Sequence, residues 1–514
     1  MVMLDGSPLS IAEVVAVARR GERVEVSEAA RERMRPAREV VEAIHARDEV
    51  VYGVTTGFGA LAERAIARDD RATLQRAVVR SHAAGMGPAL SAEVVRGMVL
   101  LRARTLCAGY SGVRPLLVDA MVAMLNAGVV PWVPAHGSLG ASGDLAPLAH
   151  AAACLMGEGW ALAGGASGGE RVPAAGALRA AGLSPVEVGP KEGLALINGT
   201  DAMCAGLSLA VYDLTALLCA ADAVCAMSVE ALLGTEGAFD QEIVALRPSP
   251  GQQHSAANLR ALLAGSPMVA SHRTSHHAVQ DAYSLRCAPQ VHGAARDVLE
   301  FARATVEREL ASVVDNPLVL VGRGEVASSG NFHGQALAYA ADMCASLCAD
   351  VASISERRVD RMLDPARSRG LPAFLTRNPG VNSGLMIAHY TSAACVVALR
   401  AASAPIAVHS IPVSAGQEDH VSMGWNAALR TRTSVDDLRR VLAIEAVCAA
   451  QALELRAPLR PGEATGGLVA SLRDAGVAFL EEDRVLAGDL LAAETWLGSD
   501  AWSAALSGLG VSLA

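Results

Sequence analysis

Aromatic side chains are scarce in this chain: five Trp, six Tyr and six Phe among 514 residues. Apolar residues still make up 52%, so the interior has to be assembled from Ala, Leu and Val. Small side chains let helices approach closely, and that composition favours a large helical bundle over a sheet sandwich. A basic block is also missing. The 43 Lys and Arg are scattered among 53 Asp and Glu, for a net charge of −10, which argues against nucleic acid as a partner. The ten cysteines include no CxxC pair. Most, such as Cys219 and Cys225, lie in apolar helical context where a thiol behaves as a small hydrophobe. Cys344 and Cys348, one helical turn apart, have no nearby partners for a metal. That usage fits a reducing cytoplasm better than a disulfide framework. The opening MVMLDGSPLSIAEVV lacks the basic-then-apolar pattern of a signal peptide. The stretch nearest to a membrane span, 379–399, contains Asn382 and His389 and reads as a buried core helix. No membrane partner is expected.

What is present is mainly helical. The length allows two or more ordinary domains, or one large core with a satellite. Residues 1–200 mix short helices with Gly- and Pro-marked turns. Within them 111–128 reads as a helix, with Ser111 as its start signal and Asn126 and Gly128 as its stop. The Gly-rich run 160–176 reads as an exposed excursion or short hairpin, and it matches no phosphate-cradling GxxxxGK[ST] loop. Residues 201–514 carry long apolar-periodic stretches at 202–234, 289–313, 333–361, 384–410 and 435–457, the pattern of a long-helix bundle.

One short segment stands apart. GSLGASGDLAPLAH, residues 137–150, sets three glycines around Ser142 between two apolar stretches. A surface turn is the ordinary reading of such a cluster. Its apolar flanks point instead to a buried turn, where free backbone polar groups are costly. A glycine nitrogen is the least hindered backbone nucleophile, and glycine tolerates tight backbone angles. Attack of the Gly143 nitrogen on the Ala141 carbonyl, with loss of water there and from Ser142, would give a five-membered ring bearing a methylidene group. Such a ring is an electrophile of a kind that no standard side chain supplies. Ser142 sits in GASGD, not in a GxSxG elbow, so a free serine nucleophile is a poor reading.

The segment resembles the cofactor-forming motif of the aromatic amino acid ammonia-lyase and aminomutase family, which builds a 4-methylidene-imidazol-5-one (MIO) from its own Ala-Ser-Gly. VYGVTTGFGAL (51–61), SHAAGMG (81–87), EGLALINGTDAM (192–203), QDAYSLRCAPQVHGA (280–294), DNPL (315–318), SGNFHGQALAYAAD (329–342) and QEDHVSMG (417–424) also resemble family segments, in family order. The likeness covers about residues 10–460. It implies a helical fold and an MIO formed from Ala141, Ser142 and Gly143. It further implies a homotetramer whose sites each draw residues from three subunits.

The site residues have ordinary readings of their own. Tyr52 could anchor its loop by its ring, Arg286 could be a surface arginine, and His82 a satisfied core or surface histidine. The resemblance assigns Tyr52 as the base for the β-proton, which needs access to its phenolate. Tyr283 and Arg286, three apart, share one helical face, and Arg286 would hold the substrate carboxylate bidentately. Asn198, Gln280 and Gln417 would supply neutral polar contacts, and Phe332 a wall near the ring. His82 and Glu418 would hold the substrate side chain. An imidazole satisfies that pair, whereas a phenyl ring would leave a buried carboxylate unpaired, so the resemblance points to ammonia elimination from L-histidine, giving trans-urocanate. Thr55-Thr56, Gly416 and Ser249 depart from the residues frequent in histidine-selective members. An aminomutase that returns the ammonia to the β-carbon, a tyrosine or phenylalanine lyase, and an inactive helical scaffold are the alternatives. SHRTSHH (271–277) clusters three histidines with no carboxylate or cysteine to complete a set, so no metal is expected.

Overall fold

The computed structural model describes residues 1–47, 49–140, 143–164, 170–273 and 279–514. Contacts between Cα atoms divide the chain into two units. The first comprises Met1–Tyr212, Ala302–Asp342 and Pro405–Arg432, and the second Asp213–Phe301, Met343–Ala404 and Thr433–Ala514. The chain is mainly α, as its composition requires.

In the first unit the helix Ala92–Cys107 is buried along almost its whole length and packs against Ile11–Arg20 and Pro115–Asn126. Small residues set the packing distance: a Cβ on Gly97 would lie 3.0 Å from Ala205 of the helix Asp201–Ala231. Helix ends are fixed locally. Ser10 and Glu13 form a reciprocal capping box at Ile11, and Gly21 ends that helix in the left-handed conformation. The strands are short, three or four residues each. They pair as Val2–Leu4 with Val24–Val26 in parallel, and as Met86–Ala89 with Pro134–His136 and Leu318–Leu320 with Glu325–Ala327 in antiparallel fashion. The expected hairpin at 160–176 is there, Trp160–Leu162 against Arg171–Pro173, with 165–169 outside the described residues.

The second unit is organised around buried charge. Glu445 accepts from Ser228, Ser355 and two nitrogens, Nε and NH2, of the Arg358 guanidinium, and all four residues are fully buried. Asp222, equally buried, accepts from Ser255, Asn258, His292 and Arg296. Burial alone would raise its carboxyl, but the His292 and Arg296 contacts win and hold it below the ordinary range.

Several expectations need correction. The helix expected from Ser111 begins at Pro115, whose fixed φ and missing N–H suit a first helical position, and Arg114 is its cap. The last long helix runs Gly424–Leu455, starting well before 435. The stretch 379–399 is not a wholly buried helix. Its helical part, Met386–Ala402, buries Ala388, Ser392, Val396 and Leu399 while Ile387, Tyr390 and Val397 are exposed. Two other stretches, Glu192–Ala231 and Gln335–Leu363, are long and apolar enough to cross a membrane by length and composition; their apolar windows are 78% and 67% buried within the chain.

Candidate active site

Ala141 and Ser142 lie outside the described residues, and the frame around them is well defined. Gly140 and Gly143 both take positive φ, +70° and +81°. Ser138 Oγ accepts from the Gly140 nitrogen and donates to the Gly143 carbonyl, and Ser422 Oγ donates to the Gly140 carbonyl at 3.0 Å. A Cβ on Gly143 would sit 2.2 Å from the Gly199 carbonyl oxygen, and one on Gly140 would sit 2.4 Å from Ser422 Oγ. Only glycine fits either place. Asp144 closes the turn. Its nitrogen donates to Gly199 O at 2.6 Å, and its Oδ2 accepts from the Ala202 and Met203 nitrogens, each 2.9 Å away, at the start of the helix Asp201–Ala231. Burial pushes this carboxyl well above the usual carboxylate range in spite of those two bonds.

Asn198 lies beside this turn, at the end of the short helix Glu192–Ile197. Its Nδ2 donates to Asn316 O, and a carbonyl can only accept, so Oδ1 must face the other way. That oxygen is buried and has no partner among the described residues. Orphaned buried acceptors are rare in native proteins and mark a place awaiting a donor. Phe332 is half-buried in the turn that precedes the helix Gln335–Leu363; two residues on, a Cβ at Gly334 would meet Met203 Sδ, with Ser422 beside it.

Tyr52 is half-buried in a Gly-rich loop, its ring edge-on to Phe58 and its hydroxyl accepting from the Gly59 nitrogen at 3.3 Å. A Cβ on Gly59 would lie 2.8 Å from Ser414 Oγ, so this loop rests on the turn Ser414–Gly416 that leads into Gln417 and Glu418. Ser414 and Ala415 hold φ near +50°, an unfavourable state for side chains. Two backbone bonds between Val413 and Glu418 close the turn, leaving Gln417 exposed and Glu418 half-buried.

His82 ends the helix Arg71–His82. Its Nδ1 lies 2.8 Å from Val78 O, which fixes the proton on that nitrogen and leaves Nε2 as an acceptor. Glu418 is close enough to raise its pKa, but burial is the larger effect and the imidazole is held below the ordinary histidine value, so neutral. In the first unit Asn198 thus lies next to the Gly143 seat, the Tyr52 loop rests on the turn before Gln417 and Glu418, and Glu418 lies near His82.

Gln280, Tyr283 and Arg286 belong to the second unit. The helical turn Tyr283–Arg286 stacks the Arg286 guanidinium 4.6 Å above the Tyr283 ring, so the predicted shared face is real. Arg358, anchored on Glu445, donates to the Ser284 carbonyl and holds that turn in place. Tyr283 is 71% exposed, Gln280 is exposed, and Arg286 Nε has no partner among the described residues.

The departures from the family pattern have local causes. Thr55 Oγ1 donates to Glu49 O and accepts from the Val51 nitrogen. Ser249 caps the helix Pro250–Leu263 and donates to Asp297. Gly416 has φ +85° with open space around it. Among the described residues no group of His, Cys, Asp and Glu could hold a metal ion, and 274–277 of the histidine run lie outside them. Sequence reasoning missed the supports, Gly199, Met203, Ser422 and Arg102. For Arg102 a signal existed: arginines at 96, 102 and 104 inside an otherwise apolar helix.

The family model described as aromatic amino acid lyase matches residues 9–474. A histidine ammonia-lyase of Streptomyces avermitilis is 52% identical over 496 residues, 96% of each chain. The crystal structure of histidine ammonia-lyase from Trypanosoma cruzi superposes with a TM-score of 0.90 at 39% identity, over 99% of this chain and 95% of that one. Tyrosine aminomutase from Streptomyces globisporus gives 0.93 at 34% identity over all of both chains.

Proposed function

The chain belongs to the aromatic amino acid lyase family, and on that footing we propose that it is a carbon–nitrogen lyase that eliminates ammonia from L-histidine to give trans-urocanate. The observation that carries the substrate is the nearness of Glu418 to His82, whose ring is oriented by Val78. His82 Nε2 is an acceptor because Val78 holds the other nitrogen, and Glu418 offers the acceptor oxygens of a carboxyl group. A neutral imidazole answers one of the two acceptors with its N–H and an imidazolium answers both; a phenyl ring answers neither.

The electrophile in this reading is an MIO ring formed from Ala141, Ser142 and Gly143, and the frame fits it. Two glycines with positive φ, the close seat on Gly199 and the orphaned Asn198 Oδ1 surround the place where it would form. Once formed, the ring would supply an electrophilic methylidene carbon that helps the amine leave. The protein's other side chains do the rest. Tyr52 takes the β-proton. Glu418 and His82 hold the imidazole, Arg286 the carboxylate, and Asn198, Gln280 and Gln417 give neutral polar contacts, with Phe332 as a wall and Tyr283 beside the reacting atoms. We place the enzyme in the cytoplasm as a homotetramer, and the exposure of Tyr283 and Gln280 supports their completing a site on another copy.

Incubation of purified protein with L-histidine tests the function. Urocanate absorbance is the expected outcome; β-histidine in the mass spectrum would make the enzyme an aminomutase, and preferred turnover of tyrosine or phenylalanine would move the substrate. Intact mass tests the ring: the matured chain is lighter by two waters, and Ser142→Ala abolishes both that loss and turnover.

A further inference from the structure

The Gly143 seat is a wall with something behind it. Gly199 presents its carbonyl oxygen to Gly143 and to the Asp144 nitrogen. On its other side, a Cβ built on Gly199 would lie 2.1 Å from both Arg102 NH1 and Asp201 Oδ2. The Asn198–Gly199 peptide is thus pressed between Gly143 and Asp144 on one side and a buried ion pair on the other. Arg102, on the helix Ala92–Cys107, is 1% exposed. Its NH1 donates to the Asn198 carbonyl and lies 3.2 Å from Asp201 Oδ2, and its NH2 donates to Val314 O at 2.8 Å. One rigid, planar fork therefore ties together the peptide under the turn, the segment leading to Asn316 and the first residue of the helix whose amides hold Asp144.

Resting on the reading that a ring forms at 141–143, we infer that Arg102, with Asp201, is a positioning residue for that ring closure. Closure makes a bond from the Gly143 nitrogen to the Ala141 carbonyl carbon. The carbonyl oxygen leaves as water, with one proton from the Gly143 nitrogen and one from the Ser142 nitrogen. A second water takes the Ser142 hydroxyl and its α-proton, so the chain loses two waters and needs no co-reactant. The attack demands that Gly143 be driven toward a carbonyl two residues back, against the preferred extension of the chain. A turn seated on a yielding peptide would relax away from that geometry. Arg102 keeps the peptide from yielding by bonding its carbonyl from behind while Asp201 fixes the guanidinium.

The test compares wild type, Arg102→Lys and the double variant Arg102→Met/Asp201→Asn, which removes both members of the pair together so that neither is left without the other. Intact mass is followed with time after synthesis. Peptide mapping assigns the loss to 137–150, because a second Ala-Ser-Gly occurs at 166–168. Far-ultraviolet circular dichroism reports folding. The expected result is a folded double variant whose two-water loss is slowed by roughly a hundredfold, the scale of a misplacement of about one ångström in a reacting pair. Arg102→Lys, which keeps the charge and loses the fork, should fall between it and wild type. Turnover should drop in proportion to the matured fraction, with KM for L-histidine unchanged. A folded double variant that matures fully at the wild-type rate overturns the inference. So does loss of the native fold in both variants, because the pair would then serve folding and not closure. If wild type itself keeps both waters, the ring reading fails instead, and that outcome is separately visible.

Discussion

Asp144 offers two substitutions that separate hydrogen bonding from charge at one buried position. Its Oδ2 takes two amides at the start of the helix Asp201–Ala231, and its side chain is fully buried. Asp144→Ala leaves the Ala202 and Met203 nitrogens without an acceptor in a place water does not reach. An unsatisfied buried donor costs about 1–3 kcal/mol, so the two together should destabilise the first unit by roughly 2–6 kcal/mol. Asp144→Asn keeps an acceptor of the same shape and should cost less than about 1 kcal/mol. The pH dependence has a definite sign. Burial raises the folded carboxyl above its unfolded value, so the native state retains a proton that the unfolded chain gives up. Stability from this group is fully present below the unfolded value of about 3.9 and is lost as pH rises through the folded value. Relative to Asp144→Asn, wild type should therefore lose stability with rising pH and then level off. Urea midpoints from pH 5 to 9, with hydrogen exchange at residues 202 and 203, provide the measurement. Equal midpoints for the Ala and Asn variants, or a pH slope of opposite sign, would refute the reasoning.

Three further outcomes follow from the site. Glu418→Gln removes a charged acceptor worth about 1.5–3 kcal/mol, so kcat/KM for L-histidine should fall roughly ten- to a hundredfold, with less discrimination against phenylalanine, read by initial rates on both. Arg286→Lys keeps the charge but loses the planar fork and the stacking on Tyr283; kcat/KM should drop about tenfold, as measured by saturation kinetics. The His82 pKa is lowered by burial, so the unfolded chain takes up a proton there before the folded one does. Its contribution to stability should be full above about pH 6.5 and fade as pH falls toward the folded value, a slope that His82→Gln removes from the unfolding midpoints.

The parts of the molecule that could be read from the chain are those with a local cause. The helices Asp201–Ala231 and Ala288–Ala311 follow their apolar period almost to the residue, because burial and spacing carry the same message. The helix from Gly424 was recognised only from 435. Its first turns carry Arg430 and Thr431, which look solvated until one sees Arg430 paired with Asp342 and Thr431 bonded to Ala341 O. Met386–Ala402 erred the other way: apolar content suggested full burial, yet exposed Ile387, Tyr390 and Val397 follow from no local rule. The tight places at Gly140 and Gly143 were legible because glycine there is a backbone requirement written in residue type. Gly199 was not, since what makes it necessary is a guanidinium from a helix nearly a hundred residues away.

That distance matters for how the site is built. Buried ion pairs return about what their desolvation costs, so they are poor explanations of stability. The first unit nevertheless buries Lys191 with Asp315 and Arg102 with Asp201, and it bonds Thr200 to Glu309 nearby. What these groups share is their targets. Arg102 bonds the carbonyls of Asn198 and Val314, Asp315 takes the Asn316 nitrogen, and the Asn316 carbonyl sets the amide of Asn198. Arg102 and Asp315 thus end on main chain that lies against Gly143 and Asp144 or leads to it. A core of small aliphatic residues, with only 3% aromatic, has no large rings to wedge such segments in place. Directional bonds from buried charges can do it, because a planar fork fixes two carbonyls at once where a packed methyl group fixes none. The scarcity of aromatics and the abundance of buried charge are then two sides of one solution: a backbone that must hold still on one side so that it can react on the other.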